Sequence, residues 1–167
     1  MNQLKKYLIL SNCNVGFEFE FYSEFSKEKA IESISKAIGK KIIVPKVLKG
    51  FNDFQEVYHT DFSPTNQVFK IEPDFSGGRK MFELITGPMN YFESRIILVK
   101  ILNWIVENGY TNEKTSVHIN VSLNEKTLGL DNKISQIDKL KFILGFNEDF
   151  IYERFPVRKN NIYAKGI

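Results

Sequence analysis

Strict two-residue alternation of apolar and polar side chains is the feature of this sequence that most constrains its fold. Residues 17–21 alternate phenylalanine with glutamate, and residues 117–121 alternate aliphatic side chains with a histidine and an asparagine. Because successive side chains of a β-strand point to opposite faces, each segment predicts a strand with one apolar and one polar face. The polar positions are Glu18, Glu20, His118 and Asn120. The pattern predicts a sheet with one face in the core and the other available for chemistry.

A third segment of the same kind lies between these two. Val68 to Ile71 and Lys80 to Ile85 are strand-like runs on either side of Asp74-Phe75-Ser76-Gly77-Gly78, a pattern typical of an antiparallel hairpin. The second run contains Glu83 and ends at Gly87-Pro88. A polar face shared by all three segments would surround a bowl-shaped site.

Helical periodicity separates the strands. Ser26 can cap a first helix, and Tyr91 to Asn108 is the strongest predicted helix of the chain. Two more are predicted, around Ile134 to Leu144 and from Glu148 to Arg154. The interleaved elements predict a single α+β domain over residues 1–167, with a mostly antiparallel β-sheet and helices packed on one face.

Composition narrows the cellular setting. The 167 residues are 43% hydrophobic, enough for the core of one domain, and 23 basic against 20 acidic side chains leave a net charge of only +3. The basic residues are scattered, so nothing in the charge pattern indicates a nucleic-acid partner. The single cysteine, Cys13, has no intramolecular partner, which fits a reducing cytoplasm. No apolar run approaches the roughly 20 residues of a membrane helix. We expect a cytoplasmic protein, or one that is intracellular in a phage-infected host.

In their order and spacing, these motifs resemble those of the amidoligases, ATP-dependent carboxylate-amine ligases of the glutamine synthetase and glutamate-cysteine ligase fold. The resemblance covers most of the chain. It rests on Gly16-x-Glu18-x-Glu20, the Asp74-x-Ser76 turn, Phe82-Glu83-Leu84-Ile85-Thr86-Gly87-Pro88, the long helix ending at Gly109, and His118-x-Asn120. It implies a half-bowl sheet whose inner face holds divalent metal and ATP.

The resemblance also implies roles for individual residues. Glu18, Glu20 and Glu83 would be metal ligands, and His118 would lie beside the nucleotide phosphates or a second metal. Magnesium fits such a set because it prefers hard oxygen ligands and keeps several waters. Asn120 would contact the cofactor; amidoligases often carry a second histidine where it stands, and an amide is a poorer metal donor.

The remaining roles concern the reaction. In such ligases a carboxylate attacks the γ-phosphoryl group of ATP to give an acyl phosphate, which an amine then displaces. Asp74 would contact the cofactor or substrate. The positive charge needed against the transferred phosphoryl group would come from Arg79 or Arg158. Small-molecule or peptide carboxylates and amines are the expected substrates.

The C-terminus departs from the resemblance. Enzymes of this fold usually bring a further metal-binding glutamate and phosphate-binding arginines from a C-terminal half, and here only eleven residues follow Pro156. The expected domain is therefore incomplete at its C-terminus, and self-association or a partner chain would complete the sheet.

Two alternatives stay open. The chain is either an active ligase, or the N-terminal part of one, or a catalytically inactive amidoligase-like module with a binding or structural role, for example in a phage particle. The glutamates can also be ordinary solvated side chains of a half-exposed strand. His118 can be a hydrogen-bonded structural residue.

Overall fold

The computed structural model of the chain describes residues 12–44, 62–73, 80–123, 148–154 and 156. In chain order the elements are β1 (Cys13–Tyr22), α1 (Lys27–Ile38), β2 (Lys41–Ile43), β3 (Val68–Pro73), β4 (Met81–Ile85), β5 (Met89–Asn90), α2 (Tyr91–Asn108), β6 (Val117–Leu123) and α3 (Glu148–Arg154). The chain divides into two units, Met1–Asn124 and Glu125–Ile167. Helix α3 belongs to the second unit, and the other described elements belong to the first.

Strand β1 is at the centre of the sheet. It pairs with β4 and β5 along one edge and with β6 along the other, and β3 and β2 follow beyond β4. The β2–β3 pair is parallel, whereas the other pairs are antiparallel. The fold is therefore α+β, as predicted, but the sheet is mixed. The parallel pair is possible because the chain between Ile43 and Val68 is long enough for a crossover connection.

The apolar face of the sheet and the two helices of the first unit share one hydrophobic core. Phe17, Phe19 and Phe21 of β1 are almost completely buried there. Helix α1 contributes Ala30, Ile34 and Ile38, and α2 contributes Ile97, Ile101, Trp104 and Ile105. Because both helices pack into the same core, they lie on one face of the sheet. The polar residues of β1 are left on the other face.

The local signals for the helix ends are confirmed. The Ser26 hydroxyl accepts the backbone N–H of Lys29 at the start of α1, and Gly39 ends that helix with a left-handed φ of 72°. The side chain of Asn90 accepts two backbone N–H groups in the first turn of α2.

None of the helices in the described ranges combines the length and apolar composition of a membrane span. The helix predicted around Ile134 to Leu144 lies outside the described residues.

Candidate functional site

The polar face of the sheet places three glutamates side by side across three strands. The register sets Glu20 of β1 opposite Glu83 of β4, and Glu83 opposite Glu72 of β3. Directly paired residues of antiparallel strands have Cβ atoms about 4.5–5.5 Å apart and point to the same face. We call Glu20, Glu83 and Glu72 the glutamate row. It brings together two of the predicted metal ligands and adds one that was not predicted.

Lys70 compensates part of the charge of the glutamate row. Lys70 Nζ lies 2.9 Å from Glu72 Oε1, and both side chains are about nine-tenths buried. No hydrogen bond or ion pair is formed by the Glu20 side chain with other residues in the described ranges. Like charges directly opposite on neighbouring strands destabilise a sheet. Carboxylates in adjacent register are also hard oxygen donors of the kind that a divalent cation binds.

A second cluster lies beside the row, where β1 pairs with β6. Glu18 is directly opposite His118. Its Oε2 is 3.0 Å from His118 Nδ1, and its Oε1 accepts the Asn120 amide at 2.9 Å. Three of the predicted site residues are thus in direct contact. The fold brings Glu18 to them through the β1–β6 register, although about a hundred residues separate the strands.

Hydrogen bonding fixes the ring of His118. An ionised carboxylate only accepts hydrogen bonds, so Nδ1 carries the proton that it donates to Glu18. In the neutral imidazole Nε2 is then an acceptor, and it lies 3.1 Å from the hydroxyl of Ser116. A hydroxyl, a base and an orienting carboxylate follow one another in this chain of contacts, as in nucleophilic hydrolases. The His118 side chain is 57% exposed, however, so the base lies in contact with water.

The predicted positive side chains, Arg79 and Arg158, lie outside the described residues, as does Asp74. Two lysines lie in or next to the described strands. Lys70 lies on the same face as the glutamate row, two residues from Glu72 along β3. Lys80, just before β4, donates a hydrogen bond to Glu24, and this contact with a carboxylate raises the pKa of Lys80.

The carboxylate oxygens on this face are the type of ligand that magnesium prefers. Mg²⁺ in nucleotide sites is typically held by one or two carboxylates, several waters and the phosphates themselves. Glu20 and Glu83 are adjacent hard oxygen donors that can supply those carboxylates. As the side chains stand, no group of three or more His, Cys, Asp or Glu residues within the described ranges is arranged to hold a metal ion.

Three residues of the face were not predicted from the sequence: Lys70, Glu72 and Ser116. The first two show the same signal as Glu18 and Glu20, namely charged side chains two residues apart in a predicted strand. The hairpin register would have placed Glu72 opposite Glu83. Ser116 carried no comparable signal, because a lone serine before a strand is common.

Comparison of the chain with protein-family models, curated proteins and solved structures gave no significant match in any of the three. The amidoligase resemblance therefore stays a prediction that rests on the residues themselves.

Proposed function

We propose that the polar face of the sheet is the Mg²⁺- and ATP-binding face of a carboxylate-amine ligase, or of the N-terminal part of one. The observation that carries the proposal is the direct register of Glu20, Glu83 and Glu72. A face selected for stability alone would alternate charge signs across the strands, because opposed like charges cost free energy. A divalent cation turns the same arrangement into a favourable one.

Within this proposal each described residue of the face has its own role in binding the cation. Glu20 and Glu83 hold the cation, and the buried Lys70–Glu72 pair supports them from the neighbouring strand. Glu18 can join them without releasing β6, because each carboxylate oxygen keeps a second lone pair beside its present hydrogen bond. When bound, the cation neutralises phosphate charge and orients the γ-phosphoryl group for attack by the acyl carboxylate. The half-bowl shape is part of the proposal.

The rest of the site, a further strand and an arginine, is expected from outside the described strands. Among the described strands, β6 pairs only with β1, so its other edge can accept a further strand. A partner chain, or residues beyond the described ranges, would supply that strand and the arginine that the resemblance requires. Arg79 and Arg158 remain the candidates within this sequence.

Calorimetric titration with a non-hydrolysable ATP analogue tests the proposal. The wild-type chain should bind the analogue with magnesium and not with EDTA, and Glu20→Gln/Glu83→Gln should lose the magnesium-dependent heat. Glu32→Gln, at an exposed position of α1, is the matched control and should bind like wild type. Equal binding by the double variant, or no binding by the folded wild type, would contradict the proposal. A positive result would justify an ADP-release screen over acids and amines.

One observation favours the second candidate, an inactive binding or structural module. Both oxygens of Glu18 are already engaged, by His118 and Asn120, so this carboxylate contributes to strand pairing without any metal. If the face is only structural, Glu20→Gln/Glu83→Gln should leave association with a partner assembly intact. Magnesium should then bind neither the wild-type chain nor the double variant. Loss of assembly in that variant would count against the structural role.

A further inference from the structure

The hydrogen bonds around β1 show which backbone groups of β6 point away from the sheet. In an antiparallel pair the bonds join residues in register, and every second residue bonds to the same neighbour. The N–H of Glu20 donates at 2.9 Å to the carbonyl of Ser116, which continues the β1–β6 register. The Phe17 carbonyl instead accepts the Thr86 N–H on the β4 side. Even-numbered residues of β6 therefore bond to β1, and its odd-numbered residues direct N–H and C=O outwards.

The outer edge of β6 carries none of the usual protection against strand pairing. In the part of the chain that the structure describes, no strand or loop accepts the outward groups of Val117, Ile119 and Val121. Their side chains are 43%, 61% and 62% exposed. Natural edge strands are commonly blocked by a lysine, another charged residue, a proline or a bulge. The sequence of β6, VHINVSL, contains no proline, lysine, arginine or carboxylate.

The opposite edge of the sheet differs. Strand β2 is only three residues long and begins with the exposed Lys41. A short strand with a lysine is the protected kind of edge. Of the two ends of the described strand order, β6 is therefore the end suited to accept another strand.

We propose that β6 pairs antiparallel with the β6 of a second copy of the chain across a two-fold axis, so that two sheets become one. The second copy would be the partner chain that the proposed function requires at this edge, and to that extent the inference rests on the proposed function. The pairing itself needs neither metal nor nucleotide.

The sequence of β6 is complementary to itself in this arrangement. With Asn120 on the axis, all seven residues of the strand pair, and about eight backbone hydrogen bonds form from the outward groups. Ile119 then lies opposite Val121 of the second copy, and His118 lies opposite Ser122. Pairs of β-branched side chains stabilise neighbouring strands, and no charged side chains are opposed.

Symmetry explains why a copy of the chain is the fitting partner and why association stops at two. A two-fold contact uses the same edge of both copies, so no β6 edge is left for a third chain. Pairing of β6 with β2 of another copy would instead continue into a filament, and Lys41 opposes it.

The small area of a strand-to-strand contact limits the affinity. Stable specific interfaces bury about 1,200–2,000 Å² in total, and two paired edge strands bury less. We expect a reversible dimer with a dissociation constant on the order of 10 μM.

Sedimentation velocity on the full chain, in EDTA and without nucleotide, tests the dimer separately from the proposed function. The wild type should change from monomer to dimer with concentration, and Val121→Lys should weaken the dimer at least tenfold. The matched control is Val106→Lys, at an exposed position of α2, which should dimerise like wild type. Circular dichroism verifies that both variants are folded. A wild type that stays monomeric throughout, or a dimer that persists in Val121→Lys, would overturn the proposal.

Amide hydrogen exchange of the wild type tests the edge without any substitution. His118 and Asn120 donate to β1, so their amides should be protected at all concentrations. The amides of Val117, Ile119 and Val121 should become protected only above the dissociation constant. Rapid exchange of these three amides in the dimer would place the contact on another surface. Their protection in the monomer would mean that the chain covers its own edge, and either result would overturn the proposal.

Cysteine cross-linking tests the register. Asn120 would face its own copy at a non-hydrogen-bonded position, where Cα atoms are about 4.5 Å apart, so Asn120→Cys should form a disulfide-linked dimer on oxidation. Ser122→Cys is the matched control and should not link to itself, because its two copies would be about 14 Å apart along the strands. The native Cys13 is buried. A linked Ser122→Cys dimer, or an Asn120→Cys chain that does not link, would overturn this register.

Discussion

A buried hydrogen bond next to the site gives a sharp test of the fold. The backbone N–H of Phe17 donates to the hydroxyl of Thr86 at 2.8 Å, and the N–H of Thr86 donates to the Phe17 carbonyl at 2.9 Å. Thr86 is 5% exposed and Phe17 3% exposed. The Thr86 hydroxyl thus accepts the backbone N–H of Phe17 at the end of β4, in place of a carbonyl of a neighbouring strand. Since Phe17 lies between Gly16 and Glu18, this bond supports the register of the site.

Thr86→Val keeps the shape of the side chain and removes its hydroxyl, which leaves the N–H of Phe17 buried without a partner. Such a loss costs about 1–3 kcal/mol of unfolding free energy. With a urea m-value of about 2 kcal/mol/M, the unfolding midpoint should fall by roughly 0.5–1.5 M. The control, Thr86→Ser, keeps the hydroxyl and should lose only about 0.8 kcal/mol for one methyl group.

Amide hydrogen exchange separates this cause from general loosening. In Thr86→Val the Phe17 amide should exchange faster than its neighbours in β1, and in Thr86→Ser it should stay protected. A valine variant as stable as wild type, with Phe17 still protected, would refute the reasoning.

Three further predictions follow from single contacts. Gly87→Ala should lose about 1–3 kcal/mol of unfolding free energy in urea, because an added Cβ would clash with the backbone of Thr65; an unchanged midpoint would contradict that packing. Ser33→Ala should cost about 1 kcal/mol and blue-shift Trp104 fluorescence, since it removes the 2.8 Å acceptor of the indole N–H. Glu20→Gln should raise stability in EDTA by about 0.2–1 kcal/mol through loss of like-charge repulsion, and a loss of stability would indicate an ion pair instead.

Much of the sheet could be predicted because its signal is local. The alternation around Phe17 to Phe21 and around residues 117–121 predicted strands β1 and β6, and the structure confirms both. The apolar face of β1 is buried as expected, whereas the apolar residues of β6 are exposed: Val117, Ile119 and Val121. The caps at Ser26 and Asn90 located the helix starts to within a residue. These features depend on side chains a few residues apart, which a single sequence displays directly.

The rest depended on long-range pairing. Nothing within β2 indicates that it pairs parallel to β3, because strand direction is set by the chain that connects them. The same holds for the direct opposition of Glu72 and Glu83, which follows from the hairpin register rather than from either residue. Glu18, His118 and Asn120 were predicted only to lie on one polar face. The hydrogen bonds of Glu18 with His118 and Asn120 depend on the β1–β6 register.

The measurement that tests the central claim most directly is paramagnetic broadening by Mn²⁺, a substitute for Mg²⁺, in NMR spectra of the ¹⁵N-labelled chain with a non-hydrolysable ATP analogue. If the glutamate row holds the metal, the amide signals of Glu20, Glu83 and Glu72 should weaken first, and Glu20→Gln/Glu83→Gln should abolish the effect. Broadening centred on another surface, or an unchanged effect in the double variant, would contradict the assignment of this face as the metal and nucleotide site.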